Sequence, residues 1–152
     1  NIDNLIISVG GGGLISGIGC YLKGLEHTKN IQMTASWPKN SPIMYNCLKN
    51  GSVSHVDEKA TISDGTAGNI ETDTITFELC KSIINNKLLV AESEIIDAIS
   101  LMISSEGLVI EGAAGVAVAS FLSNLNQFKG QDTVILLCGR NISSRTLGTL
   151  LS

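Results

Sequence analysis

Four consecutive glycines, Gly10–Gly13, stand between an apolar run, Leu5–Val9, and a segment, Leu14–Leu25, whose apolar residues recur at helical spacing. A continuous apolar run suits a strand buried on both faces, as in a parallel sheet. Glycine allows positive φ and a close backbone approach to a ligand. Successive N–H groups at a helix N-terminus point at an anion, and the helix dipole favours its charge. Ordering four glycines costs so much backbone entropy that a merely tight loop is a poor account of them. The unit therefore reads as strand, phosphate cradle, helix. No register of residues 10–19 gives G-x-G-x-x-G, and no Gly-Lys-Ser/Thr follows, so the loop suits a small phosphate monoester better than a dinucleotide or a nucleoside triphosphate.

The same alternation continues along the chain. Ile31–Ser36 reads as a strand, and Ser41-Pro42 opens a short helix through Leu48, with Ser41 as N-cap and Pro42 at the first helical position. Asn50-Gly51 has turn chemistry, and the polar stretch Ser52–Asn69 is too long for an ordinary connection. Asp73 is read as capping a helix to about Ile84, followed by a short strand Leu88–Ala91 and an amphipathic helix Glu92–Ser105. The Ala-, Gly- and Val-rich segment Ala113–Leu125 reads as a closely packed buried helix, Thr133–Leu137 as a strand, and Ser143–Leu151 as a last helix. Strands alternating with helices predict a mostly parallel sheet with helices on both faces. Ligands of such sheets bind beyond the carboxyl ends of strands, where Gly10–Gly13 and the turn Cys138–Asn141 both fall.

Bulk properties narrow the function. A chain of 152 residues, 43% apolar, can build one domain with a real core. A net charge of −4 argues against nucleic acid and anionic membranes, and 4% aromatic content against base-stacking platforms. No apolar run approaches the ~20 residues of a membrane span. Cys20, Cys47, Cys80 and Cys138 match no zinc or CxxC pattern, which suggests reduced thiols and a cytoplasmic protein. Ser16 sits one place late for a GxSxG elbow, His27 and His55 read as solvated, and Glu92 and Glu94 as ordinary first-turn acids. The opening Asn1-Ile2-Asp3-Asn4 enters a strand almost at once, which suggests a fragment or one chain of a split protein.

Ser8-Val9-Gly10-Gly11-Gly12-Gly13-Leu14-Ile15-Ser16-Gly17-Ile18 closely resembles the tetraglycine phosphate loop of the pyridoxal 5′-phosphate (PLP) dependent serine/threonine dehydratase family. Four more segments are similar to that family in its order: Trp37-Pro38 with Ser41-Pro42, Thr61–Gly68 followed by Thr76–Leu79, Glu111–Gly115, and Leu137-Cys138-Gly139-Arg140-Asn141. The wording around Asp64-Gly65 and Cys138–Asn141 is also similar to the threonine-dehydratase-like proteins of ectoine catabolism.

The resemblance implies an incomplete large domain of a tryptophan-synthase-beta-like PLP fold, residues 1–152 being its C-terminal part. It implies that Gly10, Gly11, Gly12, Gly13 and Leu14 hold the PLP phosphate through backbone amides, and that Cys138 faces the pyridine nitrogen as a neutral, weak donor. Gly65 is expected to line the cofactor, Glu111 to lie near its ring and Asn141 to shape the pocket floor. The implied reaction is α,β-elimination on threonine or serine, giving a 2-oxo acid and ammonia. A racemase of the same fold, or a non-catalytic half that associates with a partner chain, are the alternatives.

The chain also departs from the family. The Schiff-base lysine and the substrate-carboxylate loop belong to the half that would precede it, so no catalytic residue is assigned here and this chain alone is expected to be inactive. The partners implied are a small amino-acid substrate, that missing half, and further copies in an oligomer. Trp37 and Ile43 stand where relatives carry acidic cation ligands, so no metal is assigned, and Arg140 replaces the usual second glycine of the last turn.

Overall fold

A computed structural model describes residues 2–150. In order the elements are β1 (Asn4–Ser8), α1 (Gly13–Lys23), β2 (Gln32–Pro38), α2 (Ile43–Asn50), a single 3-10 turn at Asp64–Thr66, α3 (Thr76–Ile83), β3 (Asn86–Val90), α4 (Glu92–Glu106), α5 (Gly112–Leu122), α6 (Leu125–Phe128), β4 (Thr133–Ile135) and α7 (Ser144–Leu150). The strands form one sheet of order β3-β2-β1-β4, and every pairing is parallel. Asn4 to Ser8 lie opposite Gln32 to Ser36, which makes β1 and β2 the buried centre of the sheet.

Successive strand residues face opposite sides, and each side has its own core. Leu5 and Ile7 of β1 and Met33, Ala35 and Trp37 of β2 pack with Ile15, Ile43, Met44, Phe77 and Cys80 from α1, α2 and α3. On the other face Ile6 meets Ala117 and Phe128. Each fully buried isoleucine contributes about 2 kcal/mol of burial free energy. The residues of α5 from Gly112 to Ser120 are all buried, because the helix lies between the sheet and α4. Its small side chains permit that placement: a Cβ on Gly115 would come 2.8 Å from Ile99 Cγ1 of α4. The expected parallel sheet with helices on both faces is therefore what forms.

Several boundaries move, each for a tertiary reason. Ser41 does not cap α2. Its hydroxyl donates to Glu58 Oε2 at 2.6 Å, and the helix begins at Ile43 with Pro42 in the N-cap position. Nor does Asp73 cap α3, which begins at Thr76, a residue whose hydroxyl is held by Gly11 O. β3 starts at Asn86, earlier than expected, because the preceding Asn85 pairs with Met33 through both side chain and main chain. β4 ends at Ile135 rather than Leu137, since Cys138 N–H turns back to Leu136 O. The single-turn helix α6 was not expected. Leu151, the end of the expected last helix, lies outside the described residues.

Glu94 is more than a first-turn acid. Its Oε2 accepts the Ala91 N–H at 2.6 Å and its Oε1 the Ser123 hydroxyl at 2.5 Å, joining the start of α4 to the end of α5. The Ala91 N–H above all, then the Ser123 hydroxyl, holds the carboxyl below its ordinary value of 4.5. A carboxylate favoured by folding stabilises fully above that ordinary value, and the contribution fades as pH falls through the lowered one. Glu94→Gln is therefore expected to lower the melting temperature by about 2 °C near neutral pH. Thermal melts at successive pH values should show this deficit closing below about pH 4.5.

Candidate functional site

β1 delivers Ser8 to the edge of the sheet core, and the chain then bends through Gly10–Gly12 into α1. Gly12 takes φ 84 at the N-cap position. The carbonyls of this loop are held from one side. Gly11 O accepts the Thr76 hydroxyl at 2.6 Å, Gly12 O accepts Ser16 N–H at 3.0 Å and the Cys80 thiol at 3.7 Å, and Gly13 O accepts the Ser16 hydroxyl at 3.2 Å. In a trans peptide the next N–H points away from the carbonyl. The amides of Gly12, Gly13 and Leu14 are thereby turned away from the Thr76, Cys80 and Ser16 side, and these residues line a cavity of about 400 Å³. Among the described residues none of the N–H groups of Gly11 to Leu14 donates to a protein acceptor. Unpaired amides at a helix start are an anion site.

The other walls come from distant parts of the chain. Gly65 and Thr66 form one, so close that a Cβ on Gly10 would lie 3.1 Å from Thr66 Cα. This turn is held by Ser63 and Thr66, whose hydroxyls are 2.6 Å apart, while Asp64 accepts the Gly65 N–H at 2.8 Å. Its approach is anchored by Glu92, whose Oε2 accepts the Ile62 N–H at 2.8 Å, a tertiary duty that a first-turn acid does not announce.

Glu111, beside Gly65, and Cys138 complete the lining. Glu111 is half-buried just before α5. Its Oε2 accepts Asn141 N–H at 3.0 Å, and its own N–H donates to Gly139 O at 3.3 Å. Gly139 has φ 105, and any Cβ there would strike Glu111 Oε1 at 1.8 Å, so only glycine fits the turn. Cys138 Sγ lies 3.1 Å from Ser8 Oγ.

Eight of the nine expected site residues, Gly10 to Gly13, Leu14, Gly65, Glu111 and Cys138, thus line one cavity at the carboxyl ends of the adjacent strands β1 and β4. Asn141 is exposed and reaches the site through its main chain. Ser8 was missed, although a hydroxyl closing an apolar run beside the glycines was a visible signal. Thr76 and Cys80 were also missed, and nothing in the sequence links them to a loop more than sixty residues away. Trp37 is fully buried, its ring edge-on to Tyr45 at 5.6 Å between centroids. Among the described residues no three His, Cys, Asp or Glu side chains are grouped to hold a metal, and no helix is long and apolar enough to cross a membrane.

The family described as pyridoxal-phosphate dependent enzyme matches residues 1–139. The chain belongs to that family. L-threonine ammonia-lyase of Thermotoga maritima is 32% identical over all of this PLP-family chain, which covers 37% of that protein. Among solved structures, threonine deaminase isoform 2 of Solanum lycopersicum superposes with a TM-score of 0.88 at 26% identity, matching 98% of this chain and 43% of that one. Serine racemase of Dictyostelium discoideum superposes at 0.81 with 30% identity, over 94% of this chain and 45% of its own. The chain therefore spans less than half the length of each.

The residues present fit the family's cofactor. A row of free amides suits a phosphate group, and a Cβ on Gly13 would touch nothing within 4 Å, so the loop has room for one. The cavity volume falls at the lower end of ordinary small-ligand sites, ~300–1,000 Å³. No lysine is among the lining residues.

Proposed function

We propose that this chain is the C-terminal, phosphate- and ring-binding part of a PLP-dependent ammonia-lyase acting on threonine or serine. The observation that carries the reading is the row of unpaired amides from Gly11 to Leu14, beside Cys138, in a cavity without a lysine. Gly12, Gly13 and Leu14 hold the phosphate through their N–H groups, with the α1 dipole adding to the attraction. Cys138 meets the pyridine nitrogen as a neutral donor and brings no negative charge to hold a proton on it, as a carboxylate would. The Gly65 turn and Glu111 close the sides and exclude water. When bound, PLP would supply the electron sink for loss of the α-proton and the β-hydroxyl, and hydrolysis of the released enamine by water then gives a 2-oxo acid and ammonia. The lysine that moves the α-proton lies in the part of the longer enzyme beyond this chain. The names of the Thermotoga and Solanum relatives support this substrate class.

Val134 and Leu137, both more than a third exposed, lie on or just beyond the edge strand β4, where another segment or chain can cover them. We assign that contact to the remainder of the enzyme within an oligomer, working in the cytoplasm with its thiols reduced. Racemisation is the second reading, favoured by the Dictyostelium serine racemase.

The test uses the complete enzyme. It should show PLP absorbance and release 2-oxo acid from L-threonine and L-serine; D-serine without 2-oxo acid would favour the racemase. Gly13→Ala places a methyl group in open space at the cradle. It is expected to leave the melting temperature unchanged while weakening PLP binding about tenfold, the loss of roughly one charge-assisted hydrogen bond. Undiminished affinity in Gly13→Ala would refute the cradle.

A further inference from the structure

We infer that Ser8 is a positioning residue for Cys138, setting the direction of its thiol proton; the inference rests on the cofactor reading above. Ser8 is the last residue of β1 and is 4% exposed. Cys138 lies beyond the end of the neighbouring strand β4, and both residues border the cavity. Ser8 Oγ and Cys138 Sγ are 3.1 Å apart, and among the described residues neither side chain has another hydrogen-bond partner.

A buried hydroxyl without a partner is destabilising, so the Ser8–Cys138 bond is kept. Its direction decides what the cavity meets. A hydroxyl is a stronger donor than a thiol, and sulfur is a weak acceptor. With Ser8 donating to Sγ, the thiol hydrogen is free to turn into the cavity. A ring nitrogen there completes the chain Ser8 O–H to Cys138 S–H to nitrogen, in which each bond polarises the next. With the hydroxyl removed, Sγ loses its only fixed partner and the thiol rotor is undirected. Ser8 touches neither substrate nor reacting atom in this role.

The test compares wild type, Ser8→Ala and Ser8→Thr in the complete enzyme. The first readout needs no cofactor: the rate of Cys138 alkylation by iodoacetamide in the apo form at one fixed pH, resolved by peptide mass spectrometry. A donor to Sγ also stabilises the reacting thiolate. Ser8→Ala is expected to slow alkylation about threefold, and Ser8→Thr, which keeps the hydroxyl, to restore it. The second readout is the absorbance spectrum and affinity of bound PLP. Ser8→Ala is expected to change its band ratio and weaken binding about threefold, with recovery in Ser8→Thr. Alkylation at the wild-type rate in Ser8→Ala overturns the inference whatever PLP does. Slowed alkylation with spectra and affinities identical in all three proteins overturns the positioning role while leaving the cofactor reading intact. Wild type that binds no PLP overturns both.

Discussion

Gly112→Ala is expected to destabilise the protein by about 3 kcal/mol or more, at the upper end of the cost of overpacking a core. The backbone conformation at Gly112 is an ordinary one, since its φ is not positive, so the penalty comes from space alone. A Cβ there would lie 2.1 Å from Ile62 O, 2.5 Å from Ile62 C and 2.7 Å from Ser63 Cα. These are backbone atoms and cannot rotate aside. The segment cannot easily retreat either, because Ile62 N–H is bonded to Glu92 and the Ser63 and Thr66 hydroxyls to each other. Urea unfolding should show the loss, and a thermal melt should fall by roughly 10 °C. The wall formed by Gly65 and Thr66 follows this segment, so cofactor affinity should fall with stability. A melting temperature within about 2 °C of wild type would mean that the segment does not pack on α5 as described.

Gly12→Ala is expected to cost about 3 kcal/mol and to lower PLP affinity about a hundredfold, by a different route. Here both conformation and space are at fault. The φ of 84 is one that L side chains adopt at about 1–2 kcal/mol. The added Cβ would lie 2.6 Å from Cys80 Sγ and 3.2 Å from Met44 Cε, and both residues are fully buried. Burial pushes the Cys80 thiol up to about 11, so it stays neutral and donates to Gly12 O. Relief of the collision turns the loop and with it the amides that line the cavity. Cys80→Ala in the same chain makes room and should recover about 1 kcal/mol in denaturant unfolding, while the φ penalty remains. No recovery in the double variant would refute the steric account. Together with Gly13→Ala, which should spare the fold, the pair separates the loop's structural glycine from its ligand-facing one.

The legible parts of the site were those carried by short, contiguous motifs. Four glycines between an apolar run and a helical one mark a candidate cradle by themselves, and one of them, Gly12, has the positive φ that favours glycine. Cys138 and Glu111 were placed by resemblance, and the cavity does bring them together. Ser8 escaped notice because one hydroxyl in an apolar run is read as a strand residue until its neighbour on β4 is known. Ser41 and Asp73 show the opposite error. Both carry good capping chemistry, yet Ser41 is claimed by Glu58, a partner distant in sequence, and α3 begins beyond Asp73.

Hydrophobic period and glycine spacing by themselves determined the alternation of strands and helices, the parallel sheet and a candidate cradle at the end of β1, while the family came from the resemblance of the motifs. These follow from local backbone freedom and from which faces must leave water. Only the tertiary structure decided which way the cradle's amides point, since Thr76 and Cys80 of α3 hold the opposing carbonyls. It alone packed Gly112 against Ile62, fastened the Gly65 wall through Glu92 and set Ser8 beside Cys138. Each of these is a contact between residues far apart in the chain, and the direction of a side chain or a peptide plane depends on the neighbour it meets.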